Sequence, residues 1–387
     1  MEVRGSDTRN IVILGGYGNF GKRIAESLLD IPGIALLIAG RSKDKASALC
    51  DQWASNSPRA ILKPSVLDIN ASHFEEDLRE LSPFIVIHTG GPFQGQDYRV
   101  PQACINVGSH YIDLADDRRF VCDIAQLNPA AKYKGILVVS GASSVPGLSS
   151  TVIDHYLPRF QTLETIDFAI SPGNKAERGE ATIRAILSYT GHPFKVLRNK
   201  QWINVFGWGE SRKRDFRGSI GKRWLANIDI PDLELFPARY PSVKNVQFQA
   251  GLEVSMLHHG MSLMSKLTQY KIVKNWAPLT RLIVKTSELF LPFGTDRGGM
   301  QVTLKGIGLD GRNLELDWTL YADDGVGPYI PTISAIILAR KLIENSMTET
   351  GALACQGMYT LNEFDQYAKH WGIYHTETSN HSKEGED

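Results

Sequence analysis

Gly16, Gly18 and Gly21 carry the spacing G-x-G-x-x-G inside Gly15-Gly16-Tyr17-Gly18-Asn19-Phe20-Gly21. Between a strand and a helix, the first glycine permits a tight turn, the second lets a pyrophosphate approach the backbone, and the third lets helix pack on strand. The flanks fit that context. Ile11-Val12-Ile13-Leu14 forms a buried strand, and Ile24, Ala25, Leu28 and Leu29 follow at helical spacing. Backbone N–H groups and the positive end of the helix dipole then face the phosphates. A dinucleotide site is expected over residues 16–21, with Tyr17, Asn19 and Phe20 completing its loop.

About 20 residues beyond such glycines an acidic side chain normally holds a ribose 2′-hydroxyl. Here the second strand, Ala35-Leu36-Leu37-Ile38-Ala39, ends in Gly40-Arg41-Ser42-Lys43 instead, with Lys45 close behind. Arg41 can clamp a 2′-phosphate and stack on adenine, while Ser42 and Lys43 add a hydroxyl and a second charge. The expected cofactor is therefore NADP, bound as NADPH. A further apolar run, Phe84–Thr89, leads into Gly90-Gly91-Pro92-Phe93. Ligands lie beyond the carboxyl ends of strands in doubly wound sheets, so Gly90, Gly91 and Pro92 are expected beside the nicotinamide ribose.

Reducing a C=N or C=O bond also needs a proton donor whose pKa approaches the working pH. Asp113 and Asp116, in Tyr111-Ile112-Asp113-Leu114-Ala115-Asp116-Asp117, sit at the end of another predicted strand and are the candidates, with Tyr111 as an alternative. Asp116 or Asp117 could equally cap a helix starting near Arg118. Arg178 and Arg184, in a later charged stretch, could clamp a substrate carboxylate.

These residues need a scaffold. Strands alternate with helical segments over roughly the first 145 residues, which argues for a parallel sheet with right-handed crossovers. The character changes after Pro146-Gly147. Gly299–Gly308 and Asn313–Ala322 alternate apolar and polar residues around Asp310-Gly311, an antiparallel hairpin signal. The expected fold class is α/β: a Rossmann-type doubly wound parallel sheet over 1–147, and a second α+β domain containing antiparallel sheet over 148–330. Residues 331–375 should be C-terminal helices returning to the first domain, and 376–387, poor in apolar residues, a disordered tail. Trp202, Trp208 and Trp224 suggest a pocket, an interface or ordinary core. The amphipathic stretch Met256–Phe293 is assigned to core or a dimer contact, with a membrane-surface helix as the other option.

The 387 residues suit two domains, and 42 basic against 42 acidic side chains point to no nucleic-acid partner. Cys50, Cys104, Cys122 and Cys355 lie far apart, with no C-x-x-C pair and no clustered histidines, so neither a disulfide framework nor a metal site is expected. Met1–Asn10 lacks the apolar core of a signal peptide, and no run of apolar residues is long enough for an integral membrane segment. A soluble, cytoplasmic chain is expected.

Taken together, Gly15–Gly21, Ala39-Gly40-Arg41, Gly90-Gly91-Pro92-Phe93, His110-Tyr111-Ile112-Asp113-Leu114 and Ser144-Val145-Pro146-Gly147 resemble the saccharopine dehydrogenase-like NAD(P)-dependent oxidoreductases. Lys175–Thr182, Asp296–Met300 and Gly327–Pro331 resemble uncharacterised members of similar length. The resemblance implies a Rossmann domain, an inserted α/β substrate and dimerisation domain, a homodimer, and pyridine-nucleotide redox chemistry. Saccharopine-forming members have Gly-Leu-Asp-Pro-Gly where this chain has Ser143-Ser144-Val145-Pro146-Gly147, so a carboxylate is missing at Val145. That points away from saccharopine and towards another imine, secondary amine, carbonyl or enoyl substrate, either a small molecule or a lipid. A catalytically silent NADP(H) sensor is the alternative.

Overall fold

The structure, a computed structural model, describes residues 8–177 and 179–382. From the amino terminus the elements are β1 (Arg9–Leu14), α1 (Asn19–Glu26), β2 (Ile34–Gly40), α2 (Lys43–Ala54), β3 (Ile61–Val66), α3 (Phe74–Glu80) and β4 (Pro83–His88). They continue through α4 (Arg99–Val107), β5 (His110–Asp113), α5 (Arg118–Cys122), α6 (Asn128–Tyr133) and β6 (Leu137–Ser140). β2 is buried at every position, because a parallel sheet covered by helices on both faces needs continuous apolar runs. The apolar run Phe84–Thr89 supplies β4, the fourth strand in chain order. The true third strand, Ile61-Leu62-Lys63-Pro64-Ser65-Val66, is largely exposed at the sheet edge, where a proline is tolerated and no apolar run marks the strand.

The chain then forms α7 (Ser149–Tyr156), β7 (Phe160–Ser171), α8 (Glu180–Tyr189), β8 (Pro193–Arg198), β9 (Gln201–Phe206), β10 (Arg212–Asp215) and β11 (Lys222–Asn227). Next come α9 (Asp232–Arg239), β12 (Asn245–Ala250), α10 (Ser255–Gln269), α11 (Thr280–Glu288), β13 (Gly298–Gly308) and β14 (Asn313–Ala322). β13 and β14 pair antiparallel from Gly298↔Ala322 to Ile307↔Asn313, and Gly311 takes φ +77° in the connecting turn. β7 is antiparallel to β13 and parallel to β12, so this second sheet is mixed. One of its faces is apolar, with Ile166, Phe168, Val302, Leu304, Leu316 and Trp318. The other carries Asp167, Gln301, Thr303, Asp317 and Thr319, crossed by Arg214, which donates to Asp167 at 3.0 Å.

The last elements are α12 (Ile330–Ile343), β15 (Gly351–Ala354), α13 (Leu361–Ala368) and β16 (Tyr374–Ser382). Two compact units result, Met1–Gly147 with Pro331–Tyr359, and Leu148–Ile330 with Thr360–Asp387. The first sheet has the order β15-β6-β5-β4-β1-β2-β3, all parallel. Its order reverses between β4, β1 and β2, the switch point where doubly wound sheets take ligands. α12 is anchored in this unit by Arg340, which donates to Ser27 O at 2.6 Å, and by its carbonyl at Ile343, which accepts from Arg9 at 2.6 Å.

Two expectations are corrected. Residues 331–375 are not a run of returning helices: only 331–359 joins the first unit, and there it adds the strand β15, while α13 belongs to the second. Nor is 376–387 a disordered tail as far as Ser382. Thr376–Ser382 lies in β16, paired with β14 at the sheet edge. A polar sequence suffices there, because the backbone supplies the hydrogen bonds, and Tyr374 stacks on Tyr321 with ring centroids 5.2 Å apart. Residues 383–387 lie outside the described residues.

Candidate cofactor and active site

The glycine loop follows β1 at the switch point. Gly15 takes φ +76°, and the N–H groups of Gly15 and Gly16 both donate to Ala39 O, at 2.9 and 3.1 Å, which folds the turn back against β2. A Cβ on Gly21 would lie 2.3 Å from Gly15 O and 2.8 Å from Gly16 Cα, so α1 can rest on the turn only with glycine there. Gly18 is the N-cap of α1, where no side chain caps and the first turn holds no acidic residue. This helix end, with Asn19 and Phe20 in its first turn, therefore offers its dipole and backbone donors to an anion. Such a bare cradle fits a pyrophosphate.

At the end of β2, Tyr17 and Ser42 partner each other: Ser42 N donates to the Tyr17 hydroxyl at 3.0 Å. The Tyr17 ring lies so close to Gly40 that a Cβ there would meet it at 2.6 Å. The Ser42 hydroxyl in turn caps α2, accepting from Lys45 N at 3.4 Å. Arg41 and Lys43 are exposed beside this second helix N-terminus, and no carboxylate stands between Gly40 and Lys43. Two cations thus stand at this strand end, with Asp44 following in the first turn of α2.

β4 ends in the Gly90-Gly91-Pro92 loop, all three residues half-buried. Thr89 ties its root to the glycine turn, its hydroxyl donating to Leu14 O at 2.8 Å. Gln96 fixes its crest, donating to Gly90 O at 3.0 Å and Pro92 O at 2.7 Å. Beneath it, His88 is fully buried with Nδ1 3.1 Å from the Tyr111 hydroxyl. Burial holds this imidazole neutral and pulls its pKa down to about 4. His88 was not among the residues singled out from the sequence; its one signal is its place at the carboxyl end of a strand.

Asp113 and Tyr111 are also fully buried. Three donors converge on Asp113 Oδ1: Ala115 N at 2.9 Å, Gly141 N at 2.8 Å and Ser140 Oγ at 2.9 Å. They join the ends of β5 and β6. Asp116 is half-buried, at the loop side, and accepts from Gln94 Nε2 at 3.1 Å. Burial raises its carboxyl above the usual aspartate range against that bond. The helix-capping role falls to Asp117, which accepts from Phe120 N at 2.8 Å and so caps α5.

Burial also pushes the Asp113 carboxyl up to about 6, although its N–H and hydroxyl donors favour the anion. The folded state thus holds this proton more tightly than the unfolded chain. That stabilisation is fully present below about pH 4 and is lost as pH rises through about 6. Asparagine can accept the same three hydrogen bonds without charge. Urea unfolding across this window should therefore show the native chain losing about 3 kcal/mol relative to Asp113→Asn as pH rises. Parallel pH curves for the two proteins would contradict it.

In the second unit, Arg184 is half-exposed and paired within α8 to Glu180 at 3.0 Å, so its guanidinium already has a carboxylate partner. Arg178 lies outside the described residues. Trp208 and Trp224 both pack on His258, with ring centroids 5.4 and 6.3 Å away, whereas Trp202 is exposed on β9. Much of 256–293 is not core either, since Leu263, Tyr270, Leu282 and Leu289 are all exposed.

Residues 11–139, which hold the glycine turn, the β2 end and the Gly90–Pro92 loop, match the family described as the saccharopine dehydrogenase NADP binding domain. A search of curated proteins found no match. Among solved structures, saccharopine dehydrogenase (L-Glu forming) from Saccharomyces cerevisiae aligns at 14% identity with a TM-score of 0.68, covering 96% of this chain and 100% of that one. An amine dehydrogenase from Mycobacterium smegmatis aligns at 13% identity and TM-score 0.46, over 90% of this chain and 95% of that chain. GenD2 from gentamicin A biosynthesis, in complex with NAD, aligns at 14% and 0.42, over 98% and 99%. The yeast enzyme establishes a common fold across the chain. The matched first domain has the build of a nicotinamide dinucleotide site. Among the described residues no helix is long and apolar enough to cross a membrane.

Proposed function

We propose that this saccharopine dehydrogenase-like chain is an NADPH-dependent oxidoreductase acting on a C–N bond, an imine or secondary amine, of a small-molecule substrate. The observation that carries this reading is the NADP-binding family domain together with a β2 end that offers Arg41 and Lys43 where a carboxylate would serve a free ribose hydroxyl. When bound, the dinucleotide supplies the hydride. Gly16, Gly18 and Gly21 give its pyrophosphate room, Arg41 and Lys43 neutralise the 2′-phosphate, and Gly90, Gly91 and Pro92 border the nicotinamide ribose.

Of the three acidic candidates, Asp116 suits the proton-donor role. Its raised carboxyl keeps a proton closer to neutral pH, and it is half-buried beside the loop. Asp113 and Tyr111, closed off in the sheet, hold β5, β6 and His88 in place beneath it. Asp116→Asn is expected to lower kcat about 10²–10⁴-fold while leaving NADPH affinity unchanged, read by steady-state kinetics and fluorescence titration. Undiminished turnover would remove Asp116 from the chemistry.

The test of the whole is a titration of NADPH fluorescence with purified protein, followed by a screen of imines, keto acids with amines, and enoyl thioesters for NADPH consumption. Binding with turnover on the first two classes is expected. Turnover confined to enoyl thioesters would replace the C–N assignment, and binding without turnover would make the chain a sensor of the NADPH/NADP ratio.

A further inference from the structure

α10 and α11 turn their apolar sides outward. The side of α10 facing its own domain consists of His258, Met261, Ser265 and Thr268, all buried, and Ser265 Oγ donates to Gly207 O at 2.6 Å. Its opposite side carries Met256, Leu263 and Tyr270, spaced by heptads and therefore aligned in one stripe. α11 repeats the pattern, with Thr280 buried while Leu282 and Leu289, again one heptad apart, are exposed. Exposure of these five runs from 59% at Leu263 to 76% at Tyr270. Ile272, Leu279, Leu291 and Phe293, in the turns that flank these helices, are exposed as well, so nine of the sixteen exposed large apolar side chains among the described residues lie within 256–293. Clustering of that kind marks an interaction surface.

Charge selects the partner. The whole chain is balanced, yet 255–293 contains Lys266, Lys271, Lys274, Arg281 and Lys285 against Glu288 alone, and all five cations are exposed. In a symmetric pairing with a second copy these cations would face their own counterparts. An anionic surface complements them instead. α10 has 15 residues and α11 has 9, too short to span a bilayer and suited to lying in its interface.

We propose that the α10–α11 face docks this protein on anionic phospholipid bilayers, with the leucine and aromatic stripe in the headgroup boundary and the lysines on the lipid phosphates. The full chain should co-sediment with vesicles of phosphatidylcholine mixed with phosphatidylserine, much less with phosphatidylcholine alone, and less as salt rises. Leu263→Glu with Leu282→Glu and Leu289→Glu should lower vesicle binding more than tenfold. Lys266→Glu with Lys271→Glu should do the same, at roughly fivefold for each cation lost near the surface. All these side chains are exposed, so circular dichroism and NADPH affinity should stay at their native values. No binding to phosphatidylserine vesicles, or equal binding by both variants, would overturn the proposal. So would a dimer in ultracentrifugation that Leu282→Glu disperses without any vesicle binding. Vesicle binding needs no cofactor, so its failure is distinguishable from failure of the proposed activity.

Discussion

Arg41→Asp is expected to reverse the cofactor preference of this chain. Native protein should bind NADPH more tightly than NADH, because a 2′-phosphate meets the Arg41 guanidinium and the Lys43 ammonium beside the start of α2. A hydrogen bond to a charged group contributes about 1.5–3 kcal/mol. Replacing the cation by a carboxylate removes that attraction and adds repulsion, so NADPH affinity should fall about a hundredfold or more. NADH should gain, since an aspartate at this place can accept from the free ribose hydroxyl. Arg41 is exposed at the strand end, so fold stability should hardly change. Paired titrations with the two nucleotides decide the matter, and equal native affinities would refute the assignment of Arg41.

Gly18→Val and Gly21→Val should separate binding from folding. Gly18 has φ −79°, which any residue adopts, and a Cβ there would meet only Gly15 O, at 3.0 Å. Valine at 18 is expected to cost about 1 kcal/mol of stability and to abolish measurable NADPH binding, because its branches occupy the space of the pyrophosphate. At Gly21 the added carbon would collide with backbone at 2.3 Å. Gly21→Val should therefore cost several kcal/mol and lower the thermal midpoint sharply. Retained NADPH binding by a folded Gly18→Val protein would contradict the placement of the pyrophosphate.

The interior of the first sheet could be read from the sequence because buried parallel strands must be apolar throughout, as Ile34–Gly40 and Ile85–Ile87 are. The edges could not. Ile61–Val66 and Thr376–Ser382 hold their places by backbone hydrogen bonds that any sequence can make. At the glycine turn, the spacing of Gly16, Gly18 and Gly21 was legible because close backbone approach restricts residue type. The placement of His88 and Gln94 was not, since it arises from a buried contact with Tyr111 and a side-chain bond to Asp116 across 22 residues of chain. Helical periodicity revealed that Met256–Phe293 has an apolar side but not which way it points, and the core assignment failed for that reason.

The interleaving of the two units also bears on biosynthesis. β6 completes its pairing only with β15, which is translated after the whole of Leu148–Ile330. Until then the nascent Rossmann half presents the unpaired edge of Leu137–Ser140, a strand made wholly of buried residues in the finished fold. Exposed strand edges invite association with other chains. A ribosome-released fragment ending near residue 330 is thus expected to be aggregation-prone, and the emerging chain to be a client for holdase chaperones during that interval.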